Sequence, residues 1–272
     1  LIIEPAMRDT GPSICFIAHR LAALGYENEI MSIIYADHLI QKPEEFKRAL
    51  LSLSNHVEET NCLGVIAISA KYPNPNLGYI KIGALKKKTV HNFEIYELEK
   101  FVEKPTVQKA KQFLVSYKYL WNTGLYMWRI NEILQQFKTF APEIFEYTQK
   151  DELYDKAPKI SIDYAIMEKI DPRMVNVMPA ELGWNDIGNW AALHDELTQK
   201  ETENISVGRH LAVNTEGSVV IGNSQKLIVT QNLKNMIIID TPEALLVMPK
   251  EDASDVKKII EELKKQKQEK FL

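Results

Sequence analysis

Cysteine is almost missing from this chain, with Cys15 and Cys62 the only two in 272 residues. Thiols so few and so separated, neither in a Cys-x-x-Cys, build no disulfide framework. They fit a reducing cytoplasm, the expected location, as small buried hydrophobes. An excess of one charge is missing too, since 33 Lys and Arg face 37 Asp and Glu for a formal net charge of -4. Neither nucleic acid nor an anionic membrane is therefore expected as a partner. No apolar run approaches the roughly 20 residues that span a bilayer. Also absent are Gly-x-Gly-x-x-Gly, a Walker lysine loop, Gly-x-Ser-x-Gly and Asp-x-Asp. The last absence counts against a metal-dependent glycosyltransferase. What remains is an ordinary globular composition, 45% hydrophobic and 26% charged, enough for one large domain or one with a smaller appendage.

One stretch is unusual. Gly183-Trp184-Asn185-Asp186-Ile187-Gly188-Asn189-Trp190 puts two Trp, two Gly and a carboxylate into eight residues. Glycines permit tight backbone paths and close ligand approach. Asn189 suits the N-cap of a helix over Trp190 to Leu197, leaving Asp186 at a strand-to-helix corner. A second such acid, Asp37, follows the apolar run Ile30 to Ile34 in Tyr35-Ala36-Asp37-His38. Two distant acids at strand ends suit one hard cation such as Mg2+. Without His-x-x-x-His spacing, His38 reads as a hydrogen-bonding neighbour and not as a ligand.

In chain order, Leu1 to Ile3 reads as a strand already under way, and with Leu in place of Met at the start the chain is expected to begin inside a domain. Gly11-Pro12 announces a helix through about Leu24. Ile30 to Tyr35 reads as a strand of a parallel sheet covered on both faces. An amphipathic helix over Pro43 to Glu58 turns Phe46, Leu50 and Leu53 inward, and Cys62 to Ser69 forms a further apolar strand. Strand, helix, strand with short joints predicts a doubly wound parallel α/β sheet. Tyr79 to Leu85 and Phe93 to Val102 read as strands joined by a solvated turn at Lys86-Lys87-Lys88. Next come a helix over Thr106 to Ser116 capped by Thr106, and a strand over Leu125 to Ile130. Helices are expected over Asn131 to Phe140, Pro142 to Gln149 and Ser161 to Ile170, then a strand over Val175 to Val177. After about Glu201, short apolar pieces recur every six to ten residues between Gly, Asn and Asp turns, which suggests a small β-helical unit without a strict hexapeptide repeat. A charged helix over Ala253 to about Lys267 follows, and the boundary between the parts is expected near residues 198 to 205.

Three shorter motifs carry polar chemistry. In Phe101-Val102-Glu103-Lys104-Pro105, Lys104 can meet a phosphate as a mobile point charge and Glu103 can accept from sugar hydroxyls; alone, the pair also reads as an exposed ion pair. Trp121-Asn122-Thr123-Gly124 offers an amide for hydroxyls beside a glycine, or a plain turn with a buried Trp. Gly78-Tyr79-Ile80 is a weaker signal of the same kind. In Glu4-Pro5-Ala6-Met7-Arg8-Asp9-Thr10, a carboxylate fixed by the following Pro5 can accept from N1-H and the exocyclic amine of guanine. Arg8 and Thr10 can then meet ribose or phosphate; alone, the segment is a charged loop.

Taken in order, Glu4-Pro5…Arg8-Asp9-Thr10, Ala36-Asp37-His38, Gly78-Tyr79-Ile80, Phe101 to Pro105, Trp121 to Gly124 and Trp184 to Gly188 resemble the bacterial mannose-1-phosphate guanylyltransferases, the GDP-mannose pyrophosphorylases. The likeness extends through the β-rich tail. It implies a Rossmann-like (GT-A-type) α/β nucleotidyltransferase domain over 1–200 and a small left-handed β-helix-like domain with a terminal helix over 201–272, through which a homodimer is expected. It implies Asp37 and Asp186 as Mg2+ ligands, Lys104 as the group facing the mannose phosphate, Glu103, Asn122 and Gly78 as sugar contacts, and Glu4 as the guanine reader. The reaction implied is transfer from GTP to mannose 1-phosphate, giving GDP-mannose and pyrophosphate. Two departures stand out. The family's opening strand and Gly-Gly-x-Gly-Thr-Arg loop, which holds the triphosphate on backbone N–H groups, do not occur here, so the first βα unit is expected to be missing and the chain as given to be nearly inactive. Tyr35 stands where a small residue or Pro is commoner and is expected to crowd the pocket mouth. A non-catalytic sugar-nucleotide sensor or subunit is the alternative, as is a nucleotidyltransferase for another hexose 1-phosphate or base.

Overall fold

A computed structural model describes residues 1–223 and 225–271. The chain divides into two compact units, Leu1–Ala36 with Ile40–Trp184, and Asp37–Leu39 with Asn185–Leu272.

The first unit opens on α1 (Thr10–Ala23), where Asp9 caps by accepting from Thr10 N–H at 2.7 Å. The chain continues through β1 (Ile30–Ser32), β2 (His38–Ile40), α2 (Pro43–Thr60), β3 (Leu63–Ser69), β4 (Tyr79–Lys88), β5 (Glu94–Val102), α3 (Val107–Ser116) and β6 (Tyr119–Arg129), of which β2 falls largely in the second unit. Then come α4 (Ile130–Phe140), α5 (Pro142–Tyr147), a 3-10 turn over Asp151–Lys156, a π-helical turn over Asp163–Met167, β7 (Val175–Pro179) and β8 (Trp184–Asp186). Six strands form one sheet in the order β1-β6-β3-β7-β5-β4, and β4 also pairs with β6, while β2 and β8 pair separately.

Alternation along the central strands builds two cores. Leu63, Val65 and Ala67 of β3 with Tyr126 and Trp128 of β6 face α1 and α4, whereas Ile66, Ile68, Trp121, Leu125 and Met127 join Ala49, Leu53 and Val57 of α2. A sheet with apolar cover on both faces is the layered α/β arrangement. Helix starts follow the capping chemistry: Thr106 Oγ1 accepts from Lys109 N–H at 3.3 Å to begin α3, and Pro43 at the first position begins α2.

The sheet corrects several expectations. Of its pairings only β3 with β7 is parallel; β1–β6, β3–β6, β4–β5, β4–β6 and β5–β7 are antiparallel. The strand expected over Ile30 to Tyr35 is three residues long, lies at the sheet edge and buries only Met31. An unbroken apolar run specifies burial, not partner direction, which is why it misled. Leu1 to Ile3 has no regular structure, and Lys86 to Lys88 continue β4, with the turn falling at Thr89–Phe93, closed by Thr89 N–H to Phe93 O at 2.8 Å. Trp121 to Gly124 lies inside β6, at a register shift opposite Ile66 and Ala67, and not in a turn. The helix expected over Ser161 to Ile170 is the short π turn.

In the second unit, α6 (Trp190–Leu197) starts at Asn189, whose Oδ1 accepts from Ala192 N–H at 2.9 Å. Next come β9 (Ile205–Val207), β10 (Arg209–Val213), β11 (Val219–Ile221), β12 (Leu227–Gln231), β13 (Met236–Asp240), β14 (Leu245–Pro249) and α7 (Val256–Lys265). Parallel pairing joins Arg209 to Leu227, Glu216 to Lys234 and Val219 to Ile237, each eighteen positions apart, and Ile205 to Val219, fourteen apart. The corners repeat with the same spacing, Asn214 with Asn232 and Gly217 with Asn235, all at positive φ. The stacked coils thus form a β-helix-like unit closed on Val219, Ile237, Met248 and Ala253. Asn and Gly suit such corners because they adopt left-handed backbone at little cost.

Candidate active site

Three residues from three neighbouring strands meet in the first unit. A Cβ placed on Gly78 would lie 2.5 Å from Glu103 Oε2 and 3.4 Å from Asn122 Nδ2, so only glycine lets these side chains converge there. Gly78 immediately precedes β4, Glu103 follows β5, and Asn122 lies in β6. Tyr79 pairs with both Val102 and Trp121, which fixes the three neighbours side by side. Lys104 joins them, its Nζ 3.1 Å from Glu103 Oε1. The Glu103 side chain is 7% exposed and that of Lys104 56%, so the carboxylate is covered while the ammonium reaches outward. Lys104 holds a φ of 43°, a strained value for a residue with a side chain, between Glu103 and Pro105.

Two residues of this cluster escaped the sequence reading. Tyr126 Oη donates to Asp163 Oδ1 at 2.6 Å, and Asn122 Nδ2 donates to Tyr126 Oη at 2.8 Å and to Asp163 Oδ1 at 3.2 Å. Asn122 Oδ1 accepts from Gly124 N–H at 3.1 Å. The amide expected to grip hydroxyls thus has internal partners for both its nitrogen and its oxygen. Glu103 N–H donates to Glu168 Oε1 at 3.0 Å, so the segment of the π turn clasps the Glu103-Lys104 pair. π turns concentrate at functional sites. Tyr126 reads in sequence as one more apolar strand residue, and Asp163 as a helix-surface acid; the run Ser161-Ile162-Asp163-Tyr164 gave no chemical signal of its own.

Electrostatics set the protonation states. Burial and the neighbouring Asp163 push the Glu103 carboxyl up to about 7, against the pull of Lys104. Asp163 is raised as well by burial, opposed by the Tyr126 hydrogen bond. Burial works to lower Lys104, but its hydrogen bond to Glu103 and the charges of Glu103, Tyr164 and Asp163 outweigh it and hold the ammonium above its ordinary range. The site thus keeps a firmly charged cation beside a carboxyl poised near neutrality.

Glu4, Pro5, Arg8 and Thr10 form a second group in the same unit. Residues 5 and 6 bend the chain. Tyr154 Oη donates to Glu4 Oε2 at 2.5 Å, and the Tyr154 hydroxyl feels both Glu4 and Arg8, so these two charges converge on one phenol. Arg8 Nε is buried with no hydrogen-bond partner among the described residues. Thr10 Oγ1 accepts from Ile162 N–H at 2.9 Å, one residue before Asp163. Tyr35 lies against Gly124: its ring edge would be 2.7 Å from a Cβ there.

Asp37 and Asp186 belong to the second unit, where the charges of both act on the His38 imidazole. Burial lowers His38 from its ordinary value, while Asp186 and then Asp37 pull it back up. Asp186 ends β8, and a Cβ on Gly188 would lie 3.3 Å from Asp186 Oδ1. Two carboxylates supply hard oxygen donors of the kind Mg2+ takes. Among the described residues no group of three or more His, Cys, Asp or Glu could hold a metal.

Comparisons with known proteins match the chain in two successive parts. The nucleotidyl transferase family model matches residues 1–203, and the mannose-phosphate isomerase/GMP-like β-helix domain model matches 208–263. A mannose-1-phosphate guanylyltransferase of Klebsiella pneumoniae is 30% identical over 286 residues, covering 100% of this chain and 59% of the relative. A mannose-1-phosphate guanylyltransferase of Escherichia coli is 30% identical over 280 residues, covering 97% and 59%. The chain therefore spans about three-fifths of the length of these relatives. A crystal structure of a Thermus thermophilus protein, described as a mannose-1-phosphate geranyltransferase, superimposes with a TM-score of 0.82 at 27% identity, covering 97% of this chain and 78% of that one.

Proposed function

The chain belongs to the nucleotidyl transferase family, and from that premise we propose that it serves the synthesis of GDP-mannose and pyrophosphate from GTP and mannose 1-phosphate. The observation that carries this reading is the meeting of Gly78, Glu103 and Asn122 beside Lys104. A covered carboxylate next to an outward ammonium suits a ligand with hydroxyls at one end and a phosphate at the other. The curated relatives that match the chain bear the corresponding name.

In this reading a phosphate oxygen of mannose 1-phosphate forms a bond to the α-phosphorus of GTP, and the bond from that phosphorus to the bridging oxygen breaks to release pyrophosphate. No proton need move to or from a carbon centre, so alignment and charge carry most of the catalysis. Lys104 holds the sugar phosphate, Glu103 accepts from the sugar, and Glu4 reads guanine with Pro5 fixing its backbone and Arg8 and Thr10 toward the nucleotide. Asp37 and Asp186 would hold Mg2+, which supplies charge neutralisation at the reacting phosphates. The proposed domains are 1–200 for nucleotidyl transfer and 201–272 for assembly. A homodimer through the latter is supported by Leu211, Val213, Leu227 and Val229, all exposed on β10 and β12, with Leu211 in register with Val229.

The 272 residues contain no Gly-Gly-x-Gly-Thr-Arg segment to hold a triphosphate, so turnover by these residues alone is expected to be very weak; a non-catalytic sugar-nucleotide sensor is the second reading. Thermal shift with GDP-mannose, UDP-glucose and ADP-glucose tests the ligand class. Stabilisation by GDP-mannose above the other two supports the proposal, and equal or reversed shifts refute it. Near-normal GDP-mannose output from GTP, mannose 1-phosphate and Mg2+ would eliminate the sensor.

A further inference from the structure

Tyr154 is a fully buried phenol in the 3-10 turn Asp151–Lys156, and it gives its single O–H to Glu4 Oε2 at 2.5 Å. Its ring is held from α1. Phe16 meets it edge-on with ring centroids 5.1 Å apart, and the Arg20 guanidinium lies 4.7 Å from the centre of Phe16. Arg20 also pairs with Asp151 at the start of the turn, and Ala157 N–H closes the turn on Tyr154 O at 3.1 Å. Glu4, by contrast, lies in a stretch with no helix or strand. There Pro5 restrains its backbone and the phenol restrains its carboxylate. Burial first, and then the bond to Glu4, push the Tyr154 hydroxyl above its ordinary range, so it stays protonated and remains a donor.

An ionised carboxylate has about four lone-pair sites on its two oxygens. One is taken by Tyr154, which leaves each oxygen a site to accept from a base edge. We propose that Tyr154 is the positioning residue of the guanine subsite, its hydroxyl fixing the Glu4 carboxylate so that both oxygens meet N1–H and the exocyclic amine together. The inference rests on the reading of Glu4 as the guanine reader and adds the group that makes it selective. A Glu side chain free to rotate would lose rotamer freedom on each binding event; one already held on a rigid phenol does not. Hypoxanthine keeps N1–H and lacks the amine, whereas adenine turns an acceptor toward the carboxylate. The ratio of affinities for GDP and inosine 5'-diphosphate therefore reports the second hydrogen bond alone.

The test is calorimetric titration of GDP, inosine 5'-diphosphate and ADP into the chain, Tyr154→Phe, Glu4→Gln and the double variant, each checked for folding by urea unfolding. The unsubstituted chain should prefer GDP over inosine 5'-diphosphate about tenfold, the worth of a hydrogen bond to a charged group, and bind ADP more weakly still. Tyr154→Phe keeps the ring against Phe16 and should bring the GDP preference to within about threefold, with mannose 1-phosphate affinity unchanged. In the Glu4→Gln background the same substitution should change nothing further, as an effect that runs through Glu4 requires. With 13C at tyrosine Cζ, the Tyr154 signal of the unsubstituted chain should move on GDP binding and stay still with mannose 1-phosphate. That reading carries the test if Tyr154→Phe does not fold, and a Tyr154 signal unmoved by bound GDP overturns the proposal. So does a GDP preference left intact in folded Tyr154→Phe, or an equal loss with and without Glu4, while Glu4→Gln alone still lowers that preference. If Glu4→Gln keeps the full preference for GDP, or the unsubstituted chain shows none, the guanine reading of Glu4 itself falls and the proposal with it.

Discussion

Glu103 Oε2 fills the space that any side chain at position 78 would need, 2.5 Å from where a Cβ on Gly78 would stand. Gly78→Ala must therefore displace the carboxylate. Because the displaced atom is the end of a side chain and not backbone, the stability loss should be moderate, about 1 kcal/mol. The effect on mannose 1-phosphate binding should be larger, on the order of tenfold. Urea unfolding and calorimetry on the same variant separate the two. A binding loss no greater than the stability loss would mean that Glu103 does not face the ligand.

Glu103 also makes the fold sensitive to pH. Its carboxyl titrates near 7 in the folded chain, above its ordinary value of 4.5. Between those values the unfolded chain has released the proton and the folded chain still holds it. The contribution is therefore full at low pH and disappears as pH rises through about 7. Glu103→Gln should flatten the stability profile across that window, as read from urea midpoints at several pH values. A profile with the same slope in the variant would contradict the assignment.

His56 acts with the opposite sign. It is buried on α2, and burial first, then the charges of Lys87 and Lys86, lowers it, against the charge of Glu59. The folded chain keeps it neutral while the unfolded chain protonates below about 6.5. Stability should fall as pH drops through that value, and His56→Gln should remove part of the fall. His19, His38 and His210 are lowered too, so a residual slope is expected. A thermal-melt series from pH 7.5 to 5.5 checks it, and an unchanged slope in the variant counts against the buried-neutral state.

The β-helix corner at Gly208 is less forgiving. Its φ is 91°, and a Cβ there would lie 2.4 Å from Gly222 O, a backbone atom that cannot step aside. Gly208→Ala should cost about 2 kcal/mol or more in the second unit. A urea midpoint within error of the unsubstituted chain would refute the coil geometry.

These relationships were unequally legible in the sequence. Thr106 and Asn189 announced their helices because a cap is a local event that depends on residues three positions apart. Asn122 could be named as an amide beside a glycine and Glu103 as a carboxylate before Lys104-Pro105, and the resemblance set both with Gly78 among the sugar contacts. Strand direction could not be read from Ile30 to Ile34, since an apolar run records burial and not the partner. Lys86 to Lys88 looked like a turn because charge marks solvent, and the exposed end of β4 is solvated as well. Asp163 was invisible for a different reason. Its place in the site is made by hydrogen bonds with Tyr126 and Asn122, which are distant in sequence.

The central claim is that Lys104, held beside Glu103, receives the phosphate of a hexose 1-phosphate. The most direct measurement is a calorimetric titration of mannose 1-phosphate into the chain and into Lys104→Met, with urea unfolding to confirm that both are folded. The account expects at least a tenfold loss of affinity, about 1.4 kcal/mol, with stability nearly unchanged because the ammonium is more than half exposed. Equal affinity in the two folded proteins would contradict it.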